Sequence, residues 1–316
     1  MAMSSASNRR RLRRRTAFQD TAMNETALVN APIGLPALSC DAHQHVIGAP
    51  AEFPMVSSRT YTPGHASLDN LQTLHRKFGI ERAVLVQPSF YGADNSCLLQ
   101  ALARLGKSGR GVVVIDETTT AYNLDQMHET GVRAVRINPK GHADNTDVVS
   151  HLLQTVSERV TSRGWHVQTF LPLRTIVALR KTINALPTRL VLDHFAGASA
   201  EGIAQNGFDA LCQLVESGNC YVKLSAPYQA SASGPGYPEM TDLAHALIAL
   251  RGDRILWGSN WPHTNPHLAA GHTALDVNPF HDVDYAGLVD LIDGWAPDQI
   301  DRRKILVENP QVLFDF

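Results

Sequence analysis

Leu38-Ser39-Cys40-Asp41-Ala42-His43-Gln44-His45 is a short apolar run that closes on a carboxylate and two imidazoles. Side chains at i and i+2 of a strand share a face, so the pattern predicts Asp41, His43 and His45 pointing one way. Two imidazoles side by side at a strand end call for a metal, a proton or a substrate. A second run of the same kind lies far downstream, in Ile255-Leu256-Trp257-Gly258-Ser259-Asn260-Trp261-Pro262-His263. Both read as ends of barrel strands that converge on one pocket.

Working outward, six more β-rich runs lie between these two: Arg82 to Ser89, Gly111 to Asp116, Ala134 to Asn138, His166 to Leu171, Arg189 to Phe195 and Tyr221 to Ala226. Several are nearly continuous in Val, Ile and Leu, as parallel strands buried on both faces should be. Helical candidates alternate with them, among them Leu68 to Phe78, Val148 to Arg163, Thr241 to Leu250, Tyr285 to Trp295 and Pro297 to Leu306. Eight such units predict an α/β fold, a (β/α)₈ TIM barrel. A doubly wound open sheet is the competing architecture, but no GxGxxG follows the first strand. Nearly every run turns polar at its C-terminal end, the face on which barrel enzymes build their sites. That placement predicts an enzyme rather than a binding module.

The chain has 316 residues, 44% hydrophobic and 18% charged, with a formal net charge of −2. This balance argues against nucleic acid or an anionic membrane as a partner and leaves the oligomeric state open. Cys40, Cys97, Cys212 and Cys220 show neither CxxC spacing nor a disulfide framework, which fits a reducing, cytoplasmic compartment. Residues 1–30, with six arginines among the seven residues from Arg9 to Arg15, are expected to form a disordered tail. A nucleic-acid or membrane tether is the alternative reading of that run. Residues 31–316 are assigned to the barrel.

Asp41-x-His43-x-His45, Asp193-His194 and Gly258-Ser259-Asn260-Trp261-Pro262-His263 resemble the amidohydrolase superfamily. Val86-Gln87-Pro88-Ser89-Phe90-Tyr91-Gly92, Gly131-Val132-Arg133-Ala134-Val135-Arg136-Ile137-Asn138 and Glu308-Asn309-Pro310 place the resemblance in the branch of 2-pyrone-4,6-dicarboxylate hydrolase and related lactonases. It runs from about Leu38 to Phe316. It implies a hydrolase that opens a small carboxylated lactone by water attack at the ring carbonyl. A lactone isomerase on the same barrel is the alternative, and a catalytically dead ligand-binding barrel a second. The pyrone hydrolase carries aspartate, the implied general base, where this chain has Asn260. An amide cannot take up a proton at neutral pH, whereas a galactarolactone isomerase of the branch carries asparagine there.

By this resemblance His43, His45, His194 and Asn260 form the catalytic group, and Arg136, Tyr61, Ser89 and His263 contact substrate. His43 and His45 have the spacing of divalent-metal ligands, with His194 the natural third. Asn260 is a poor zinc ligand, so no cofactor is expected to be required, and Zn²⁺ is the alternative. The planar fork of Arg136 suits a carboxylate; the competing role is an ion pair with a barrel aspartate such as Asp116. Arg59 lies with Tyr61 in the first long loop, and Ser89 serves equally well as a turn hydroxyl. His263 is either a ligand contact or a partner for His43 or His45, and Lys223 reads as a barrel ion-pair partner. Phe170 stands where the pyrone hydrolase often has tyrosine. Its second carboxylate-clamping residue is unmatched, with only Lys140 nearby.

Overall fold

The computed structural model describes residues 34–139 and 141–316, so the arginine run and Lys140 lie outside the described residues. Eight parallel strands form one sheet in sequential order: β1 (Cys40–Gln44), β2 (Arg82–Val86), β3 (Gly109–Val113), β4 (Val132–Ile137), β5 (His166–Thr169), β6 (Leu190–Leu192), β7 (Cys220–Ser225) and β8 (Ile255–Gly258). The sheet closes between its first and last strands. The Asn260 amide donates to the His43 carbonyl and the His45 amide to the Trp261 carbonyl, both at 2.8 Å. Barrel closure and the two motifs are thus the same few residues.

Helices fill the outer layer. Helix α1 (Leu68–Phe78) starts at a Ser67–Asn70 capping box and stops at Gly79, whose φ of 70° suits glycine. It buries Leu68, Leu71, His75 and Phe78, and a fully buried Leu or Phe contributes about 1.5–3 kcal/mol. Helices α2 (Ser96–Leu105), α3 (Ala121–Glu129), α4 (Thr146–Val160), α5 (Leu173–Ala178), α6 (Arg180–Ala185), α7 (Phe208–Glu216), α8 (Pro238–Arg251) and α9 (Tyr285–Trp295) follow in turn. At the floor, Leu313 and Phe314 join the barrel interior, packing with Cys40, Val84, Val112, Ala134, Val191, Tyr221 and Leu256. No helix among the described residues is long and apolar enough to cross a membrane.

One expectation about β1 fails. The register slips between Asp41 and Gln44, where β1 carries an extra residue opposite β2. Such a bulge breaks the two-residue alternation, so Asp41 does not share a face with His43. Its carboxylate turns to the helix layer, 3.5 Å from the Tyr285 hydroxyl of α9 and 3.6 Å from His75 Nε2 of α1. It also accepts from the Ser259 amide at 2.9 Å. Asp41 ties β1, β8 and two helices together, while His43 turns inward.

Candidate active site

Asp193, at the end of β6, is the centre of the site and is completely buried. Its Oδ1 lies 3.2 Å from His43 Nδ1 and 3.5 Å from Lys223 Nζ. Its Oδ2 accepts from Gln168 Nε2 at 3.1 Å and faces Arg136 Nε at 3.8 Å. Burial alone would raise its pKa, but His43 and Lys223 hold it well below the usual carboxylate range. Sequence reasoning assigned Asp193 no role. The available signal was its position on an inward-facing site one strand away from Lys223, since a buried cation needs a buried anion.

Burial keeps all the histidines around this carboxylate neutral. It lowers His43 well below 6.5 against the pull of Asp193. It brings His45 to about 3, with Arg136 adding to the effect, and His194 to about 4 against Asp193. Their partners then fix which nitrogen carries the proton. His45 Nδ1 donates to the Val86 carbonyl at 2.7 Å, and a carbonyl only accepts, so His45 Nε2 is a lone pair. His43 Nδ1 faces a carboxylate, so its Nε2 is a lone pair as well, buried and without a partner among the described residues. His194 differs: its Nδ1 meets the Ser225 hydroxyl at 2.8 Å. A hydroxyl can donate to Nδ1, which leaves His194 free to present an Nε2–H. The three rings lie close, with centroids 5.2 Å apart for His43 and His45 and 4.8 Å for His43 and His194.

The backbone here is held in a form that few residues adopt. His194, Phe195 and Ala196 run consecutively at φ between 52° and 56°; each such non-glycine residue costs about 1–3 kcal/mol. Amide bonds from Ala196 to the Asp193 carbonyl and from Ala198 to the Phe195 carbonyl, each 3.1 Å, close the turn. A Cβ on Gly197 would come within 2.2 Å of the Leu171 carbonyl oxygen, so glycine is required there.

Arg136, on β4, is the most exposed member of the charged group, at 9% against 0% for Asp193 and Lys223. One guanidinium nitrogen donates to the Gln87 carbonyl at 3.2 Å. The ion pair considered from sequence is therefore with Asp193 and not with Asp116, which is exposed and bonded to Thr118 and Thr119. Burial brings Lys223 down to about 8, with Asp193 opposing, so the ammonium is still the main form at neutral pH. Around Asp193 there are thus two cations and one anion.

The mouth is built from the loops after β1 and β8. The Tyr61 hydroxyl donates to Thr264 Oγ1 at 3.3 Å, and the Ser89 hydroxyl lies against the same phenol. Ser89 opens a single 3₁₀ turn, Ser89–Tyr91. Arg59 is occupied by its own loop, donating to Thr62 Oγ1 and the Val56 carbonyl. Phe170 sets its ring edge against His194, 5.1 Å between centroids. His263 does not reach His43 or His45: its Nδ1 faces the Tyr228 hydroxyl at 3.3 Å. That hydroxyl also accepts from Asn260 Nδ2 at 2.8 Å. Tyr228 follows β7 in the turn Pro227–Gln229, and nothing in its local sequence marks it out.

His43, Asp193 and His194 can each direct a ligand atom to one place, all within 4.8 Å of one another; His45, a candidate from sequence, is not in this set. The chemistry of the set does not suit a resident zinc ion, because Lys223 and Arg136 already neutralise Asp193. Two unit charges 4 Å apart repel by about 4 kcal/mol at the effective permittivity of a protein site, and a divalent ion doubles that.

A family model described as Amidohydrolase matches residues 40–316. A 2-pyrone-4,6-dicarboxylate hydrolase of Comamonas testosteroni is 33% identical, covering 89% of this chain and 91% of its own length. A 4-sulfomuconolactone hydrolase of Rhizobium radiobacter is 32% identical, covering 90% and 93%. A D-galactarolactone isomerase of Agrobacterium fabrum is 28% identical, covering 88% and 90%. Among solved structures, a putative 2-pyrone-4,6-dicarboxylic acid hydrolase from Pseudomonas putida superposes with a TM-score of 0.73 at 28% identity, covering 89% of this chain and 98% of its own. With its motifs on the C-terminal face of a parallel eight-stranded barrel and the family model spanning that whole barrel, the chain is an enzyme of the amidohydrolase family.

Proposed function

We propose that this enzyme hydrolyses a small anionic lactone by water attack at the ring carbonyl. The observation that carries the reading is the buried His43–Asp193 pair, 3.2 Å apart, beside an Arg136 whose Nε is buried without a hydrogen-bond partner among the described residues. The excess positive charge around Asp193 favours a substrate that brings an anion, and Arg136 is the residue to receive it. The lone pair on His43 Nε2 accepts a proton from water while Asp193 steadies the imidazolium that forms, the division of labour of a His–Asp pair. The lone pair on His45 Nε2 helps orient the same water. His194 donates its Nε2–H to the carbonyl oxygen as charge develops there. The His43 imidazolium then returns its proton to the ring oxygen as the acyl C–O bond breaks and the ring opens. Tyr61, Ser89 and His263 contact the substrate at the mouth. Asn260, tethered to Tyr228, offers its amide to the ring or its substituents.

No metal is required in this scheme, because the carbonyl is polarised by His194 and the carboxylate is neutralised by Lys223 and Arg136. The unpaired state of all four cysteines supports a cytoplasmic setting.

A lactone isomerase is the second reading, and one observation favours it. Asn260 is an amide where a base is needed for the pyrone hydrolase chemistry, and an isomerase is among the relatives at 28% identity. A screen of carboxylated and hydroxylated lactones in weak buffer with a pH indicator tests both. Proton release with ring-opened product supports hydrolysis, and an isomeric lactone without proton release supports the second reading. Saturable binding with neither product on any lactone would reject both in favour of a dead ligand-binding barrel.

A further inference from the structure

We propose that Lys223 is the built-in cation of this site, its ammonium doing for His43 and Asp193 what a divalent metal would do and keeping such a metal out. Lys223 projects from β7 into the barrel and is wholly buried. Its Nζ donates to Gln168 Oε1 at 2.7 Å and stands 3.5 Å from both Asp193 Oδ1 and His43 Nδ1. Two of the three residues able to converge on a metal are therefore already engaged by one positive charge. Gln168 completes the unit, accepting from Lys223 through Oε1 and donating to Asp193 Oδ2 through Nε2 at 3.1 Å. A bound metal would neutralise the carboxylate and fix the imidazole; here Lys223 neutralises the carboxylate, Gln168 holds it in place, and the carboxylate so held fixes the imidazole through Nδ1. What remains is still a ligand set: His43 Nε2 is buried without a hydrogen-bond partner among the described residues, and Asp193 Oδ1 meets only His43 Nδ1 at 3.2 Å and Lys223 Nζ at 3.5 Å. Removing the ammonium while keeping the volume should open that set to zinc.

This inference concerns metal content and is independent of which lactone is turned over, so it can fail while the proposed reaction stands. The test compares zinc content and zinc affinity of wild type, Lys223→Met, Lys223→Gln and Asn260→Asp after dialysis against chelator and titration with Zn²⁺ alone. Wild type and Asn260→Asp should stay substoichiometric. Lys223→Met and Lys223→Gln should take up one ion per chain, at least about a hundredfold more tightly than wild type. Melting in the presence of zinc gives a second readout, because an ion that binds only the folded chain raises the midpoint even of a weakened variant. The midpoint should rise for the two Lys223 variants and stay fixed for wild type. One tightly held zinc per wild-type chain would overturn the inference. So would Lys223 variants that bind zinc no better than wild type, or uptake confined to Asn260→Asp, which would make the missing aspartate the cause.

Discussion

Asn260 is the residue at which chemistry and sequence pull hardest against each other. Its side chain donates to Tyr228, and the Tyr228 hydroxyl lies next to His263. Burial raises the Tyr228 pKa, so the phenol stays protonated and its single proton is free for His263 Nδ1. An aspartate at this position would reverse the chain, since Tyr228 would then donate to the carboxylate and His263 would have to donate to Tyr228. Asn260→Asp is therefore expected to lower kcat/KM on the enzyme's own lactone at least about tenfold and to add an acid limb to the pH–rate profile. A gain in hydrolysis of about 10²–10⁴ would instead mean that the carboxylate restores a lost base. Arg136 makes a simpler case. Arg136→Lys keeps the charge but loses the fork, and a bidentate contact to a charged group is worth roughly 1.5–3 kcal/mol. Steady-state kinetics should show kcat/KM reduced at least about tenfold, with the urea midpoint nearly unchanged. A variant that unfolds readily but has normal kinetics in its folded fraction would make Arg136 a structural partner of Asp193 alone.

At the scale of elements, β1 and β8 set the catalytic geometry because they touch. Gly258 permits the approach: a Cβ there would lie 2.6 Å from His43 Cβ and 2.8 Å from the His43 amide nitrogen. The obstruction is backbone, which cannot swing aside. Gly258→Ala should cost about 1–3 kcal/mol in denaturant unfolding, the usual range for overpacking. It should also lower kcat/KM at least about tenfold by displacing His43. Normal kinetics in a destabilised variant would show that the position of His43 is not critical. All eight strands overlap the runs read from the sequence, several of them nearly continuous in Val, Ile and Leu, and α1 and α9 match their predicted limits. The predicted runs overshoot at their C-terminal ends, through Ser89, Asp116 and Phe195, because residues that leave the ladder to build the site still look like strand. The bulge after Asp41 was not legible, since one extra residue leaves no mark on an apolar pattern until the partner strand is known. Tyr228 was invisible for a related reason: only the barrel brings its turn beside Asn260. Asp193 was visible but unassigned, because its significance lies in contacts across strands with Lys223 and His43.

The whole molecule holds an unusual store of buried neutral imidazole, and this ties its stability to pH. Burial lowers His45, His166 and His263 to about 3 and His194 to about 4, against an ordinary value near 6.5. In the unfolded chain these groups take up protons as pH falls through 6.5, whereas in the fold they do not. Between pH 6.5 and about 4 the unfolded state therefore binds more protons, and stability must fall as the solution is acidified. Each such histidine contributes about 1 kcal/mol of loss over the first unit below 6.5, a serious sum against a net stability of about 5–15 kcal/mol. The stabilising contribution is complete above that window. Urea midpoints should accordingly be level from pH 7 to 8 and drop steeply between pH 6.5 and 5. His166 allows the cause to be isolated. It lies at the start of β5 with its ring against Phe314 on the barrel floor, and neither ring nitrogen has a partner among the described residues. His166→Leu removes one proton-binding group and one unsatisfied buried polar ring without touching the site. It should match wild type in kcat/KM, be at least as stable at pH 7, and lose about 1 kcal/mol less than wild type on going from pH 6.5 to 5.5. An unchanged pH slope would show that this histidine is not held neutral by the fold, and a marked loss of activity would show that the floor of the barrel positions the residues above it.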